Sequence, residues 1–476
     1  MLVRQVADAK LAQFAYLIGC PQTAEAIVID PERDVDRYFD LAARHRLRIV
    51  AAADTHIHAD YVSGLREMAA RGVLVYASKE GGPDWQYEWL LHGDSRHRLL
   101  SHGDQFSVGS IEFRAVHTPG HTPEHLSYLV RDAGGGAKDC MALASGDFVF
   151  VGDVGRPDLL ERAAGIAGVM EPSARAQFAS IQREFRSLPE FLQIWPAHGA
   201  GSACGKSLGD VPTSTVGYEL RTNRSLQAAV NEQTFVDFIL AGQPEPPLYF
   251  ARMKRENRRG PELLPALPSP ARVQASDLRG LENRSDIAVL DTRARNAFFE
   301  GHLAGSLLTE FEYQFCSIAG SYVPAGMPIY LLVSDAQLDE AVRALVRVGL
   351  DRIVGYFTPD TLAEYWRLGG ALRRTMTVDM VELEKQRTSR SAYLLDVRGA
   401  AEFESGHIPE ALHVPHTRIG VDANSLPGDK PLLVYCNSGA RAAAAVAMLA
   451  RLGFVATEVN DNFANYQRAQ ELASRE

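Results

Sequence analysis

The chain has 476 residues, of which 46% are apolar and 23% charged, and its formal charge is −10. That is material for several hydrophobic cores, and at roughly 150 residues per domain the length suggests about three. The acidic balance, with no long basic run beyond Lys254 to Arg259, argues against nucleic acid as a partner.

At the start of the chain Asp8, Lys10 and Gln13 interrupt the apolar residues, so no secretory signal is expected, and nowhere do about 18 consecutive apolar residues suggest a membrane span. Cys20, Cys140, Cys204, Cys316 and Cys436 are odd in number, scattered and without a Cys-x-x-Cys pair, which reads as free thiols in a reducing cytoplasm. After an apolar strand comes Thr55-His56-Ile57-His58-Ala59-Asp60-Tyr61. Isolated His121, Asp147 and His198 follow in later loops, within Thr118-Pro119-Gly120-His121, Ser145-Gly146-Asp147 and Pro196-Ala197-His198-Gly199.

Imidazole and carboxylate oxygen together suit zinc, iron or manganese, so ligand type alone does not choose the metal. Two histidines and one carboxylate on one face, with the other positions open, form the ligand set of non-haem Fe(II) oxygenases, and His56, His121 and Asp147 would supply it. A lone histidine is more simply a satisfied surface or core residue, and His92, His97 and His102 are read that way. His56, His121 and Asp147 differ because they occur in order beside glycine or proline turns. His58, Asp60 and His198 either ligate as well or orient the ligands through hydrogen bonds.

From Tyr249 to Ala271 the composition turns basic and then rich in proline, with Pro261, Pro265, Pro268 and Pro270, which reads as an interdomain linker over 251–270. A repeat follows. Asp291, Arg293, Phe298 and His302 recur as Asp396, Arg398, Phe403 and His407, all offset by 105 residues. Each copy begins with a short apolar run suited to a buried parallel strand and continues into helical stretches such as Ala341 to Gly349 and Arg441 to Gly453, so βαβ units on a doubly wound sheet are expected. The domains are then 1–250, 271–373 and 374–476.

In the second copy the strand Pro431 to Tyr435 runs into Cys436-Asn437-Ser438-Gly439-Ala440-Arg441 and then an alanine-rich helix. A cysteine at the end of a parallel strand, in a short loop whose N–H groups converge at a helix N-terminus, lies in a field that favours thiolate, and Arg441 adds a full charge. The first copy has Ser334-Asp335-Ala336-Gln337 at this place, with neither nucleophile nor closing arginine, so it is expected to be catalytically silent. Cys316 lies away from the loop and reads as a buried apolar residue.

The order of the His-x-His-x-Asp run and the later His, Asp and His resembles the metallo-β-lactamase superfamily. In two-metal members the first run ends Asp-His, whereas here Tyr61 stands in place of the last histidine, so a second-site ligand is missing. The Leu-Asp-Val-Arg and Glu-Phe-x-x-Gly-His-Ile-Pro pattern and the Cys-x-x-x-x-Arg loop resemble the rhodanese family. Gly152-Asp153-Val154-Gly155-Arg156-Pro157-Asp158-Leu159, with His198 through Ser207, resembles the persulfide dioxygenase branch. Nearly the whole chain is therefore similar to the CstB-like fusions of a persulfide dioxygenase with a silent and an active rhodanese domain.

The resemblance implies an α/β multidomain fold: an αββα sandwich followed by two rhodanese-like doubly wound domains. It also implies one Fe(II) per chain, oxidation of a low-molecular-weight thiol persulfide by O2 to sulfite, and sulfane-sulfur transfer through Cys436 to form or use thiosulfate. Arg156 is expected to contact an anionic part of the substrate, with Lys206 a weaker candidate. Cys204 either relays sulfur or simply packs under its loop. Two other readings stay open: a glyoxalase-II-like binuclear thioester hydrolase, and a sulfur-carrier scaffold without oxidation. A silent extra domain is compatible with a homo-oligomer.

Overall fold

The computed structural model describes residues 1–93, 95–163, 165–466 and 468; the last residues of the expected third domain, 469–476, lie outside them. The chain divides into two compact units, one of Met1–Ala266 with Val346–Gly349, the other of Leu267–Leu345 with Leu350–Glu476.

The first unit is a four-layer αββα sandwich. Six strands from Leu2–Asp8 to His97–Leu100 make one sheet in chain order, and six from Gln105–Val108 to Ser214–Thr215 make the other, also in chain order. The strand Gln13–Cys20 (QFAYLIGC) is apolar on both faces because both are covered. Tyr16, Ile18, Ile27 and Ala53 of the first sheet share an inner core with Phe113, Tyr128, Ala144 and Trp195 of the second. The outer faces bury different residues. Tyr38, Leu65 and Met68 lie on helices Asp36–Arg44 and Leu65–Ala70 over the first sheet. Ala174, Phe235 and Ile239 lie on helices Met170–Ser180 and Glu232–Leu240 over the second.

Strands Ile111–His117, Ala142–Gly146 and Gln193–Pro196 run in one direction, since the first and second are each antiparallel to Leu126–Asp132 and the second and third pair in parallel. Their C-terminal ends therefore lie along one edge. The candidate ligands His121, Asp147 and His198 follow those ends, and Leu126 N–H donates to Thr55 O to bring the His56 loop beside them.

The expected linker needs correction. Its first half is a helix, Phe250–Arg259, in which Met253 and Asn257 are buried. The Asn257 side chain donates to the carbonyls of His58 and Tyr61 and accepts from Ser63 N–H, so this helix is clamped to the ligand loop. Past Gly260 (φ +96°) the prolines do preclude regular structure, yet Arg66 holds the carbonyls of Gly260 and Pro261, and Leu264 N–H donates to Glu67. Composition revealed where helix is forbidden after 260, but not that side chains elsewhere would take up the exposed backbone.

The second unit contains two five-stranded parallel sheets of the same strand order, one built from strands Ala271–Arg272 to Ile353–Phe357 and the other from Thr377–Val378 to Ala456–Val459. The four repeated identities build one network twice. Arg293 makes a two-pronged pair with Asp291 and donates to Gly301 O, as Arg398 does with Asp396 and Gly406 O. His302 stacks on Phe298 at 3.9 Å and His407 on Phe403 at 3.8 Å. These identities persist in both copies because they hold the strand to the following loop, whether or not the copy carries a cysteine in its later loop. Among the described residues no helix is long and apolar enough to cross a membrane.

Candidate metal centre and sulfur-transfer loop

His56, His121 and Asp147 are brought together by the fold, buried, with one potential ligand atom from each within 4.8 Å of the others. The Asp147 Oδ2 atom lies 3.4 Å from His121 Nε2 and 4.0 Å from His56 Nε2. Both ring orientations are set from behind. His56 Nδ1 faces Thr55 Oγ1 at 3.0 Å, which donates to Asp30 Oδ2, and His121 Nδ1 faces Arg156 O at 3.2 Å. Each ring therefore turns Nε2 toward Asp147. Asp147 N–H donates to His125 Nε2 at 3.0 Å, and Gly146 must be glycine: its φ is +54°, and a Cβ would come within 2.6 Å of His125 and 2.7 Å of Thr55.

Burial pushes His56 and His121 well below the ordinary imidazole value, so both are neutral, and it raises Asp147 to about 6. Both Asp147 oxygens are buried with no hydrogen-bond partner among the described residues. A buried, unpartnered carboxylate is costly unless a cation meets it, and neutral imidazoles are what a metal requires, so the donor set fits a metal ion.

His58 and Tyr61 stand apart from that set. His58 Nε2 lies 3.2 Å from Asp30 Oδ1 and 3.0 Å from the Tyr61 hydroxyl, whose ring stacks on it at 4.4 Å. Burial lowers His58, but Asp30 outweighs it and raises the imidazole to about 9, and a protonated imidazole has no free pair to offer a metal. Asp60 and His198, 3.3 Å apart, cluster with Cys204, and His198 Nε2 is 3.4 Å from Asp147 Oδ1. Cys204 is buried, and burial pushes its thiol well above the ordinary value.

Two expected substrate contacts are misplaced. Arg156 is completely buried; its guanidinium pairs with Asp158 through two nitrogens and donates to Ala203 O and Pro244 O, so its charge is already spent inside the fold. What Arg156 offers the centre is its carbonyl, behind His121. Lys206 Nζ donates to Phe238 O and Ala241 O and sits over the Phe238 ring, so its ammonium is engaged within the fold.

The residue that sequence reasoning missed is Lys254. A cavity of about 620 Å³ is lined by Ile57, Pro119 and Gly120, chain neighbours of His56 and His121, and by Trp85, Lys254 and Arg258. Lys254 Nζ lies over the Trp85 ring, 4.4 Å from its centroid. Burial lowers its ammonium to about 8, with Glu124 opposing, and no ion pair involves it among the described residues. Only the tertiary position of a helix that had been read as linker reveals this.

In the second unit Cys436 is buried and its Sγ accepts the Gly439 N–H at 3.1 Å. Arg441 pairs with Glu402 through both terminal nitrogens at 2.6 and 2.8 Å, and Asn437 donates to the same carboxylate. Burial pushes Glu402 up, but Arg441 outweighs it and holds the carboxyl below its usual range. The expected free charge of Arg441 is thus shared with Glu402. In the first copy Asp335 faces Arg272 at 3.6 Å, and Cys316 is buried with its thiol toward Ala344 O.

The metallo-beta-lactamase superfamily model matches residues 9–198 and the rhodanese-like domain model residues 379–467. The chain is similar to the persulfide dioxygenase ETHE1, mitochondrial, of Bos taurus, 30% identical over 203 residues that cover 42% of this chain and 68% of that protein. It is similar also to a hydroxyacylglutathione hydrolase of Glaesserella parasuis serovar 5, 28% identical over 185 residues, 38% of this chain and 65% of that one. Among solved structures, a metallo-β-lactamase from Staphylococcus aureus subsp. aureus COL is 37% identical with a TM-score of 0.67, covering 75% of this chain and 98% of the other. The chain spans between 53% and 68% of the length of these curated relatives and of the β-lactamase hydrolase-like protein of Agrobacterium fabrum.

The chain belongs to the metallo-β-lactamase superfamily and carries a rhodanese-like domain behind the metallo-β-lactamase domain. An ETHE1-like relative combined with that C-terminal domain is the make-up of a persulfide dioxygenase–rhodanese fusion.

Proposed function

We propose that His56, His121 and Asp147 hold one Fe(II) and that this centre oxidises the terminal sulfur of a low-molecular-weight thiol persulfide. The reaction RSSH + O2 + H2O gives RSH and sulfurous acid, with O2 taking four electrons from the outer sulfur. Cys436 carries the second activity: its persulfide passes the outer sulfur to sulfite, the S–S bond to Cys436 breaking as that of thiosulfate forms, and the reverse reaction uses thiosulfate. The observation that carries the reading is the orphaned Asp147 carboxylate facing two neutral, oriented imidazoles. Ferrous iron held by His56, His121 and Asp147 would supply the redox chemistry between persulfide and O2 and bring the two together.

The protein's own part is positioning. Asp30 and the Arg156 carbonyl fix the two rings, while Tyr61 and Asp30 keep His58 out of the ligand set. The cavity beside Ile57 and Gly120 takes the thiol carrier, and Lys254 meets an anionic group on it. Oxygen uptake by anaerobically iron-loaded protein given glutathione persulfide tests this, with sulfite as product; no uptake rejects it.

One observation favours a second reading, a binuclear thioester hydrolase. Asp60, His198 and Cys204 cluster beside Asp147, and the chain is also similar to a hydroxyacylglutathione hydrolase. Two zinc ions per chain with thioester cleavage and no oxygen uptake would select it.

A further inference from the structure

The silent rhodanese copy packs against the active one throughout the helix Ala440–Arg451. Its Phe298, Phe299 and Leu308 share an apolar cluster with Ala443 and Ala447, and Arg451 at the helix end donates to Gly305 O and Ile287 O at 2.8 and 2.6 Å. At the other end of that helix lies the Cys436 loop, and a single peptide unit there is held from both sides. The Ser438 carbonyl accepts from Arg295 Nη1 of the silent copy at 3.1 Å, while the N–H of the same unit, on Gly439, donates to Cys436 Sγ at 3.1 Å.

A trans peptide is a rigid conjugated plane with its C=O and N–H pointing in opposite directions, so fixing the oxygen fixes where the N–H points. A cation on the oxygen also draws electron density through the plane and strengthens the N–H as a donor. Arg295 is itself anchored by the buried Glu458 carboxylate at 3.2 Å. The fit leaves no room: Gly439 has φ +93°, and a Cβ there would come within 1.9 Å of Arg295 Nη1.

We propose that Arg295 is a positioning residue of the sulfurtransferase, supplied by the copy that lacks a nucleophile, which holds and polarises the Ser438–Gly439 peptide so that its N–H stabilises anionic sulfur on Cys436. The silent copy is then a working part of the active site. This rests on Cys436 as the sulfur carrier. In the transfer the Cys436 thiolate attacks the outer sulfur of thiosulfate, sulfite leaves with the electron pair of the broken S–S bond, and the Cys436 persulfide anion remains, still receiving the Gly439 N–H.

The test uses the full chain and its Arg295→Met and Arg295→Lys variants, with Cys436→Ser as the blank. Two quantities are measured: thiosulfate-to-cyanide sulfur transfer, and the rate of iodoacetamide alkylation at Cys436, read by peptide mass spectrometry across pH. Losing a charged hydrogen-bond donor is expected to slow both by about 3- to 10-fold near neutral pH in Arg295→Met. The alkylation profile moves to higher pH, and Arg295→Lys falls between because it restores the charge but not the planar fork. A residue that merely packed would alter thermal stability and leave the alkylation profile alone. Parental rates with an unmoved profile, in either variant, overturn the proposal. If the parent chain transfers no sulfur at all, it is the reading of Cys436 that fails.

Discussion

Replacing Lys254 with methionine tests the substrate-binding role of the cavity. Methionine keeps most of the apolar stem over Trp85 and removes only the ammonium. A charged hydrogen bond is worth about 1.5–3 kcal/mol, and because Lys254 is only partly buried by surface area the lower end applies, so kcat/KM for a carboxylate-bearing persulfide should fall about 10-fold. The pH dependence is a sharper measure. With the ammonium lowered to about 8, roughly nine in ten molecules are charged at pH 7 and roughly one in ten at pH 9, so parental KM should rise about 10-fold over that span.

Stability carries the opposite sign. The unfolded chain holds this proton more tightly than the folded one, so stability rises as pH goes from about 8 toward 10.5, and Lys254→Met lacks that slope. Initial rates on an oxygen electrode between pH 6.5 and 9.5, with glutathione persulfide against an uncharged alkyl persulfide, supply the comparison. Equal KM values for parent and variant on the anionic substrate, or a parental KM flat through pH 8, would refute the reasoning.

Asp147→Asn should abolish iron retention, measured by elemental analysis, while stabilising the metal-free protein. Asp147 is raised above its unfolded value, so its carboxylate costs stability progressively from about pH 4 to 6, and removing it should recover about 2 kcal/mol at pH 7 in urea unfolding of metal-free protein. Cys436→Ser should leave sulfite release intact and stop thiosulfate formation; unchanged thiosulfate by ion chromatography would remove the transfer step. Arg398→Met strands the buried Asp396 carboxylate and should destabilise the second unit by about 3 kcal/mol, seen as a lower midpoint in its unfolding transition.

Much of the centre was readable from order and spacing. His56, His121 and Asp147 each follow the end of a strand, and their order along the chain was enough to pick them out as one group. The repeat was readable too, because identities separated by a constant offset demand equivalent places in two copies. The Arg156 and Lys206 assignments met one obstacle: a charge in a sequence does not announce its partner. Arg156 pairs with Asp158, two residues away, and the Lys206 ammonium donates to carbonyls more than thirty residues away.

The sequence by itself determined the layer architecture, the grouping of His56, His121 and Asp147, the tyrosine at position 61 and the cysteine of the loop after Tyr435, since all of these follow from residue chemistry in local order. Only the tertiary structure decided which cations remain available. It turned a supposed linker into the helix that carries Lys254 to the cavity, and brought Arg295, 143 residues before Ser438 in the chain, onto the peptide beside Cys436. Electrostatic roles depend on distance and desolvation in three dimensions, and neither is encoded by separation along the chain.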